Sequence, residues 1–424
     1  MVDGSTPDSA ALGRRAEAML ADLAAISAEP DRLVRLYLTP EHRRAADLVA
    51  GWMRDAGMAV SEDALATVRG RLPPTAGNGR RVLLLGSHID TVVDAGRYDG
   101  TLGVVAAILA IEEIRRRGTA LPFAVEVLAF GDEEGVRFPT TLAGSSAVAG
   151  ILSPAELDQP DRDGVTLADA LRAFGHDPAE IAAAAIARED AVGYLEVHIE
   201  QGPVLEREGL PLGVVSAIAG ATRARITVTG EAGHAGTVPM AIRRDALTAA
   251  AELILAVEAI GRAGEADGLV ATVGRLDARP GAINVVPGAV EMTLDLRAAA
   301  DAPRRRAFSE IAAAAARIAA ARGVAITVTP THDRATAPCS ARLQAAIGAA
   351  VAGLGLPVRT LMSGAGHDGQ AMAELCDVGM LFVRCRGGIS HNPAEHAAVD
   401  DMGLAVAALV RAIEGLAKGE TERP

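Results

Sequence analysis

Two textures of hydrophobic patterning divide the chain. From Arg81 onward, the continuous apolar run Val82-Leu83-Leu84-Leu85 and the run Val125-Glu126-Val127-Leu128-Ala129-Phe130, apolar but for Glu126, alternate with longer stretches of helical period. A run that is apolar at every position predicts a strand covered on both faces, and its alternation with helices predicts a largely parallel sheet. The expected elements are strand 82–86, helix 103–117, strand 123–130 and strand 194–200. Helices over 11–27 and 41–57 precede them, the second starting after Pro40. Residues 151–190 read as a polar, then Ala-rich excursion with helices around the surface turn Asp161-Arg162-Asp163-Gly164.

The second texture begins near Leu212. Arg223-Ala224-Arg225-Ile226-Thr227-Val228-Thr229 alternates polar and apolar positions, as in a sheet with one wet face. Helix 241–262, strands 269–276 and 289–298, the Ala-rich helix 302–321 and strand 324–329 complete a β-α-β-β-α-β order, the pattern of a ferredoxin-like α+β unit. After Pro330 the first texture returns: helix 340–354, strand 357–362, helix 368–375, strand 378–384 and helix 400–417. The chain therefore reads as an α/β protein with a mainly parallel sheet. Residues 1–212 and 331–424 form one domain, and an insert spans 213–330.

Bulk composition narrows the function classes. With 424 residues, the chain is long enough for two or three domains. Apolar residues make up 50% of it but aromatics only 2%, so Ala, Val, Leu and Ile must build the core. A formal net charge of −13 argues against nucleic acid and anionic membranes as partners. No run is long and apolar enough to span a bilayer, and Met1 to Ala10 lacks the basic and apolar regions of a secretory signal. Cys339, Cys376 and Cys385 have neither metal-knuckle nor disulfide-framework spacing and read as small buried hydrophobes. The expectation is a soluble, cytoplasmic protein.

Chemistry concentrates in five polar clusters at the ends of apolar runs: Ser87-His88-Ile89-Asp90, Tyr98-Asp99-Gly100, Asp132-Glu133-Glu134, Glu196-Val197-His198-Ile199-Glu200-Gln201-Gly202 and Ile389-Ser390-His391-Asn392-Pro393. Open α/β sheets place ligand sites just past such strands. Imidazole with carboxylate suits a borderline divalent ion such as zinc, and also manganese or cobalt. Five candidate ligands suit two ions that share a carboxylate. Asp90 would orient His88 through its other ring nitrogen. Asp99 is either a turn residue or the bridging carboxylate, and the following Gly would let the backbone crowd the metals. Adjacent acids at 132–134 repel one another unless cations relieve them. One could then ligate while its neighbour acts as general base. His198 reads either as a ligand or as an inward core histidine.

Two further histidines lie in Gly-rich loops, Gly233-His234-Ala235-Gly236 and Gly364-Ala365-Gly366-His367-Asp368. They are ordinary turns, or else a donor to a substrate carbonyl and a loop cradling substrate. Arg297, alternating with Asp295, is either a solvated strand arginine or a bidentate clamp for a substrate carboxylate. His42, His176, His332 and His396 read as surface or local capping residues.

These clusters resemble the hydantoinase/carbamoylase family of amidases, within the di-metal aminoacylase and carboxypeptidase-like hydrolases. The resemblance runs from about residue 10 to 418. It rests on Gly86-Ser87-His88-Ile89-Asp90-Thr91, Asp132-Glu133-Glu134-Gly135, His198-Ile199-Glu200-Gln201-Gly202, Gly233-His234-Ala235-Gly236-Thr237, Asn284-Val285-Val286-Pro287-Gly288, Ser363-Gly364-Ala365-Gly366-His367-Asp368 and Gly388-Ile389-Ser390-His391-Asn392-Pro393. It implies one metal on His88, Asp99 and His198 and a second on Asp99, Glu134 and His391. It further implies Glu133 as base, with His234 polarising the scissile carbonyl. Gln201, Asn284, Arg297, Gly366 and His367 would hold substrate. The insert would be a lid through which homodimers join, with His234 and Asn284 serving the neighbouring subunit's site.

The implied activity is hydrolysis of a ureido group, in an N-carbamoyl-L-amino acid, allantoate or 3-ureidopropionate. A dipeptidase or aminoacylase would share metals and lid, and the Gln201-Gly202 and Gly-Ala-Gly-His signatures weigh against it. A non-catalytic sensor on a retired hydrolase fold would have lost Glu133 or a ligand position, and none is lost.

Overall fold

The computed structural model describes residues 7–75 and 79–421, so Met1–Thr6 of the segment read for a leader lie outside the described residues. The chain divides into two compact units. One comprises Met1–Ser216, Cys339–Leu361 and Ala365–Pro424, the other Ala217–Pro338 and Met362–Gly364.

In the first unit four strands lie side by side and parallel: Ala124–Phe130, Val82–His88, Ala191–Ile199 and Val378–Val383. Apart from Ala191 every residue in them is buried, as continuous apolar runs require when both sheet faces are covered. Antiparallel strands flank these four: the hairpin Ala59–Glu62 and Val68–Leu72 on one side, Leu212–Ile218 on the other. The main core joins this sheet to helices Ser9–Ala24, Pro40–Asp55, Thr101–Arg117, Ala341–Gly353 and Val399–Thr421. Among the described residues, no helix is long and apolar enough to cross a membrane.

The first helices begin as their sequences direct. Thr39 accepts from the His42 N–H, with Pro40 in the first turn, and Asp8 accepts from the Ala11 N–H. Two expectations change. The helix placed over 368–375 is a single turn, Gly369–Met372. The excursion 151–190 holds one α-helix, Leu167–Phe174, and two short 3-10 segments.

The second unit has its own core and an antiparallel sheet. Gly220–Thr229 pairs with Ala325–Arg334 on one side and Ala289–Ala298 on the other. Val270–Thr272 and Leu276–Arg279 both pair with the outer flank of Ala289–Ala298, so the strand expected over 269–276 is two shorter pieces. Helices Ala246–Ala263 and Asp301–Arg322 supply the covered face. Along Gly220–Thr229 buried and exposed residues alternate, as a sheet with one wet face demands. The contact boundaries fall a few residues later than 212 and 330. Leu212–Val214 still pairs with Val378–Val383, and the returning strand runs on to Arg334.

The terminal helices Ser9–Ala24 and Val399–Thr421 meet backbone to backbone. A Cβ on Gly403 would fall 1.9 Å from the Ser9 carbonyl oxygen, and one on Gly13 2.1 Å from that of Val399. Gly415, on the same helix as Gly403, has nothing within 4 Å. Gly403→Ala should therefore force the helices apart and destabilise by about 1–3 kcal/mol, as overpacking does. Gly415→Ala should stabilise by about 0.5–1 kcal/mol through chain entropy alone. Urea midpoints of the two variants check this. An unshifted Gly403→Ala midpoint would contradict the close crossing.

Candidate metal centre

The parallel strands deliver their polar residues to one edge. His88 closes its strand opposite Phe130, two residues before Asp132, while His198 lies opposite Phe382 of the neighbouring strand. The loop after Val378–Val383 brings in His391, and the turn ahead of helix Thr101–Arg117 brings in Asp99. Gly100 caps that helix at φ +63. A Cβ there would lie 2.4 Å from the His88 ring, so only glycine lets the Asp99 turn close on the imidazole.

Asp99 has two different sides. Its Oδ1 lies 3.0 Å from His198 Nε2 and 3.6 Å from His88 Nε2, whereas its Oδ2 lies 3.2 Å from His391 Nε2. Glu134 Oε1 approaches His391 Nε2 at 3.6 Å, and Glu133 Oε2 approaches His88 Nε2 at 3.9 Å. Ligand atoms of His88, Asp99 and His198 lie within 4.8 Å of one another, and so do those of Asp99, Glu134 and His391. His198 thus belongs to the cluster rather than standing alone in the core. The far nitrogens of two histidines are fixed by backbone carbonyls: His88 Nδ1 by Asp90 at 3.0 Å and His198 Nδ1 by Ile199 at 2.9 Å. Both Nε2 atoms are thereby turned toward Asp99 as acceptors for a cation.

Asp90 works differently from the expectation. Its carboxylate is 3.7 Å from His88 Nδ1, beyond hydrogen-bond length, because the nearer backbone carbonyl takes that proton. Instead it accepts the backbone N–H groups of Glu133 and Glu134 at 3.2 and 3.3 Å, fixing the turn that presents both glutamates. Asp132 faces away from them. At φ +64 it buries its carboxyl against Thr140 Oγ1 at 2.5 Å, and burial pushes that group well above the usual carboxylate range. The three acids therefore split by direction.

The electrostatics describe a site short of positive charge. Among the described residues, Asp99, Glu133 and Glu134 have no lysine or arginine partner. Burial alone would raise Asp99, yet the three histidines hold it well below the ordinary range. Burial and then Asp99 push Glu134 up to about 7, and burial drives Glu133 well above its usual value. Asp99, outweighing burial, lifts His391 to about 9. Protons on the histidines stand where divalent charge would otherwise sit. The imidazole and carboxylate donors converge in two sets with a shared member, a donor chemistry that fits divalent cations.

The other expected site residues fall in several places. Gln201, at φ +55, donates from Nε2 to Asp99 Oδ2 at 2.8 Å, so its amide holds the shared carboxylate. His367 is buried, its ring edge-on to His198 at 4.3 Å, and Gly366 beside it is exposed. In the second unit His234 and Asn284 are brought together, because Gly233–His234 pairs with Val285–Val286. His234 Nδ1 accepts the Gly236 N–H at 3.0 Å, which leaves the ring proton on an exposed Nε2. Arg297 is half-buried and already held, with Nε and Nη2 on Asp295 at 2.8 and 3.0 Å and Nη1 on the Gly364 carbonyl at 2.7 Å.

Several roles escaped the sequence. His42 is fully buried between Tyr37 and Phe174 rather than at the surface, and burial lowers it to about 3. Arg35, also fully buried, ties the carbonyls of Leu23, Ile26 and Ile89 together just behind Asp90. Glu395 accepts the N–H groups of Tyr98 and Asp99. An Arg inside the apolar run Leu33-Val34-Arg35-Leu36 was the one available signal; Glu395 had none.

The family model described as peptidase family M20/M25/M40 matches residues 84–415. Allantoate deiminase of Arabidopsis thaliana is 42% identical, the match covering 96% of this chain and 82% of that protein. N-carbamoyl-L-amino acid amidohydrolase of Geobacillus stearothermophilus is 40% identical over 96% of this chain and 99% of its own length. The crystal structure of a hydantoinase/carbamoylase family amidase from Burkholderia multivorans superposes with a TM-score of 0.90 at 31% identity, covering 96% of this chain and 98% of that one. The chain belongs to the M20/M25/M40 family and, within it, to the hydantoinase/carbamoylase amidases, hydrolases of carbon–nitrogen bonds other than peptide bonds.

Proposed function

We propose that this enzyme hydrolyses the ureido group of an N-carbamoyl-L-amino acid or of allantoate, releasing ammonia and carbon dioxide, with two divalent ions (zinc, manganese or cobalt) as cofactor. The observation that carries the reading is the two-sided setting of Asp99, with His88 and His198 on one carboxylate oxygen and His391 on the other. His88, Asp99 and His198 would hold one ion; Asp99, Glu134 and His391 would hold the other. When bound, such ions polarise the ureido carbonyl and acidify water.

Glu133 is the general base, taking a proton from the attacking water and returning it to the departing nitrogen. The Asp90 carboxylate keeps that glutamate's backbone in place. His234 offers its Nε2–H to the carbonyl oxygen, where charge grows. Gln201, Asn284, Arg297, Gly366 and His367 hold the substrate, with Arg297 directing to a carboxylate the N–H groups that Asp295 and Gly364 leave over. The second unit acts as lid and as the surface of a homodimer, with His234 and Asn284 serving the neighbouring subunit's site. The names of the relatives favour a ureido compound over a peptide.

Purified protein loaded with zinc, manganese or cobalt should release ammonia from allantoate, an N-carbamoyl-L-amino acid or 3-ureidopropionate, and lose that activity on chelation. Cleavage of dipeptides without any ammonia from the three ureido compounds would overturn the substrate assignment. Glu133→Gln keeps size but cannot take up the proton, so turnover should fall by roughly 10²–10⁴-fold while metal content stays near wild type. A variant that loses its metal instead would exchange the roles of Glu133 and Glu134.

Metal affinity should depend on pH with a definite sign. His391 has to be neutral to ligate, and Asp99 holds its metal-free form protonated up to about pH 9. Each step from pH 6 to pH 8 therefore lowers the cost of displacing that proton, and zinc binding should tighten across the interval. Competition with a chelator of known pH dependence measures this. Affinity unchanged from pH 6 to 8 would exclude His391 as a ligand.

A further inference from the structure

Glu395 belongs to neither group of candidate ligands, yet its carboxylate bonds Asp99 and the residues preceding Asp99 and His391 in the chain. It is 5% exposed. Its Oε1 accepts the backbone N–H groups of Tyr98 and Asp99 at 2.9 and 3.1 Å. Its Oε2 lies 2.9 Å from the Ser390 hydroxyl, and that hydroxyl also lies 2.9 Å from Asp99 Oδ2. Ser390 directly precedes His391, which sits at φ +53 with a half-exposed side chain.

From this geometry we infer that Glu395 is a positioning residue for the shared carboxylate. It clamps the Asp99 turn to the His391 loop and so sets the distance between the two metal positions. Asp99 and Glu395 are 296 residues apart in sequence, and the clamp joins their segments alongside the stacking of Tyr98 on His396, whose ring centroids are 5.9 Å apart. Asp99 is additionally anchored by helix Thr101–Arg117, and His198 and His88 lie on sheet strands. His391 stands on neither a strand nor an α-helix, and apart from Glu395 its neighbour Ser390 is held by Gln201 Nε2 at 3.2 Å. Loss of Glu395 should therefore loosen the Glu134–His391 position and leave the His88–His198 position nearly intact. The two backbone N–H groups explain why neither a hydrophobic residue nor a cation would serve here, since both need an acceptor, while the single Ser390 proton lies between Glu395 Oε2 and Asp99 Oδ2.

The inference rests on the two-ion reading and is tested separately from it. Chelated wild-type protein is titrated with zinc by calorimetry and the stoichiometry confirmed by elemental analysis, alongside Glu395→Ala, Glu395→Gln and Ser390→Ala. Wild type should take up two equivalents. Glu395→Ala should bind one of them about 10–100-fold more weakly, as loss of a residue supporting a metal ligand does, with the other within about threefold of wild type. Glu395→Gln keeps an acceptor for the N–H pair and can donate to Ser390 Oγ, so it should restore most of the lost affinity. Ser390→Ala removes only the shared hydroxyl and should weaken the same equivalent, even if Glu395→Ala cannot be purified folded. Two unchanged equivalents in Glu395→Ala or in Ser390→Ala would overturn the clamp and leave the two-ion reading standing. Fewer than two equivalents in wild type would instead remove the two-ion reading and the clamp together.

Discussion

A carboxylate between three imidazoles is the constraint around which the rest of this fold is arranged. Asp99 is buried, and an isolated buried anion is costly enough that it would normally give up its charge. Here the charge is kept because His88, His198 and His391 converge on it from two sheet strands and a distant loop. Gln201 and Ser390 add donors to the same oxygen. The arrangement is tolerable only if the strands stay in register, Gly100 admits the His88 ring and the terminal segment returns to the sheet.

The supporting residues act mainly through the backbone. Asp90 holds the N–H groups of Glu133 and Glu134, Glu395 those of Tyr98 and Asp99, and Arg35 the carbonyls behind Asp90. Buried side chains that bond main chain fix loops whose own hydrogen bonds would otherwise go unpaired. They also leave the ligand side chains free of direct competition. Rigid loops on a parallel sheet thereby place groups from five parts of the chain to within a few ångströms.

Legibility in the sequence followed the same division. The central strands were readable because burial on both faces makes them apolar at most positions, and the second unit because one wet face makes its strands alternate. The strand Val68–Leu72 was hidden: it carries Arg69 and Arg71, whose guanidinium groups both bind the buried Glu126 of the neighbouring strand at 2.7 Å. That pairing lets arginines stand in a sheet where periodicity expects apolar residues. The polar clusters were legible as chemistry because each follows a strand. Their partners were not, since a residue chosen to accept backbone N–H groups answers to loop shape rather than to any side-chain pattern. Hence Glu395 and the true partners of Asp90 emerged only from the structure, and His42, polar by type, proved to be packed among aromatic rings.

The order of strands in the sheet carries a consequence for how the protein is made. Val378–Val383 comes late in the chain but lies inside the sheet, between Ala191–Ile199 and Leu212–Ile218. Until a ribosome has released that segment, both neighbours expose the unpaired backbone of a gap rather than a finished edge. The entire second unit is synthesised while this gap stands open, and its local, antiparallel pairings can form meanwhile. From the completion of Leu212–Ile218 until Val378–Val383 emerges, the nascent first unit therefore carries an apolar cleft that a foreign strand can enter, a hazard for aggregation that closes only with the last part of the chain.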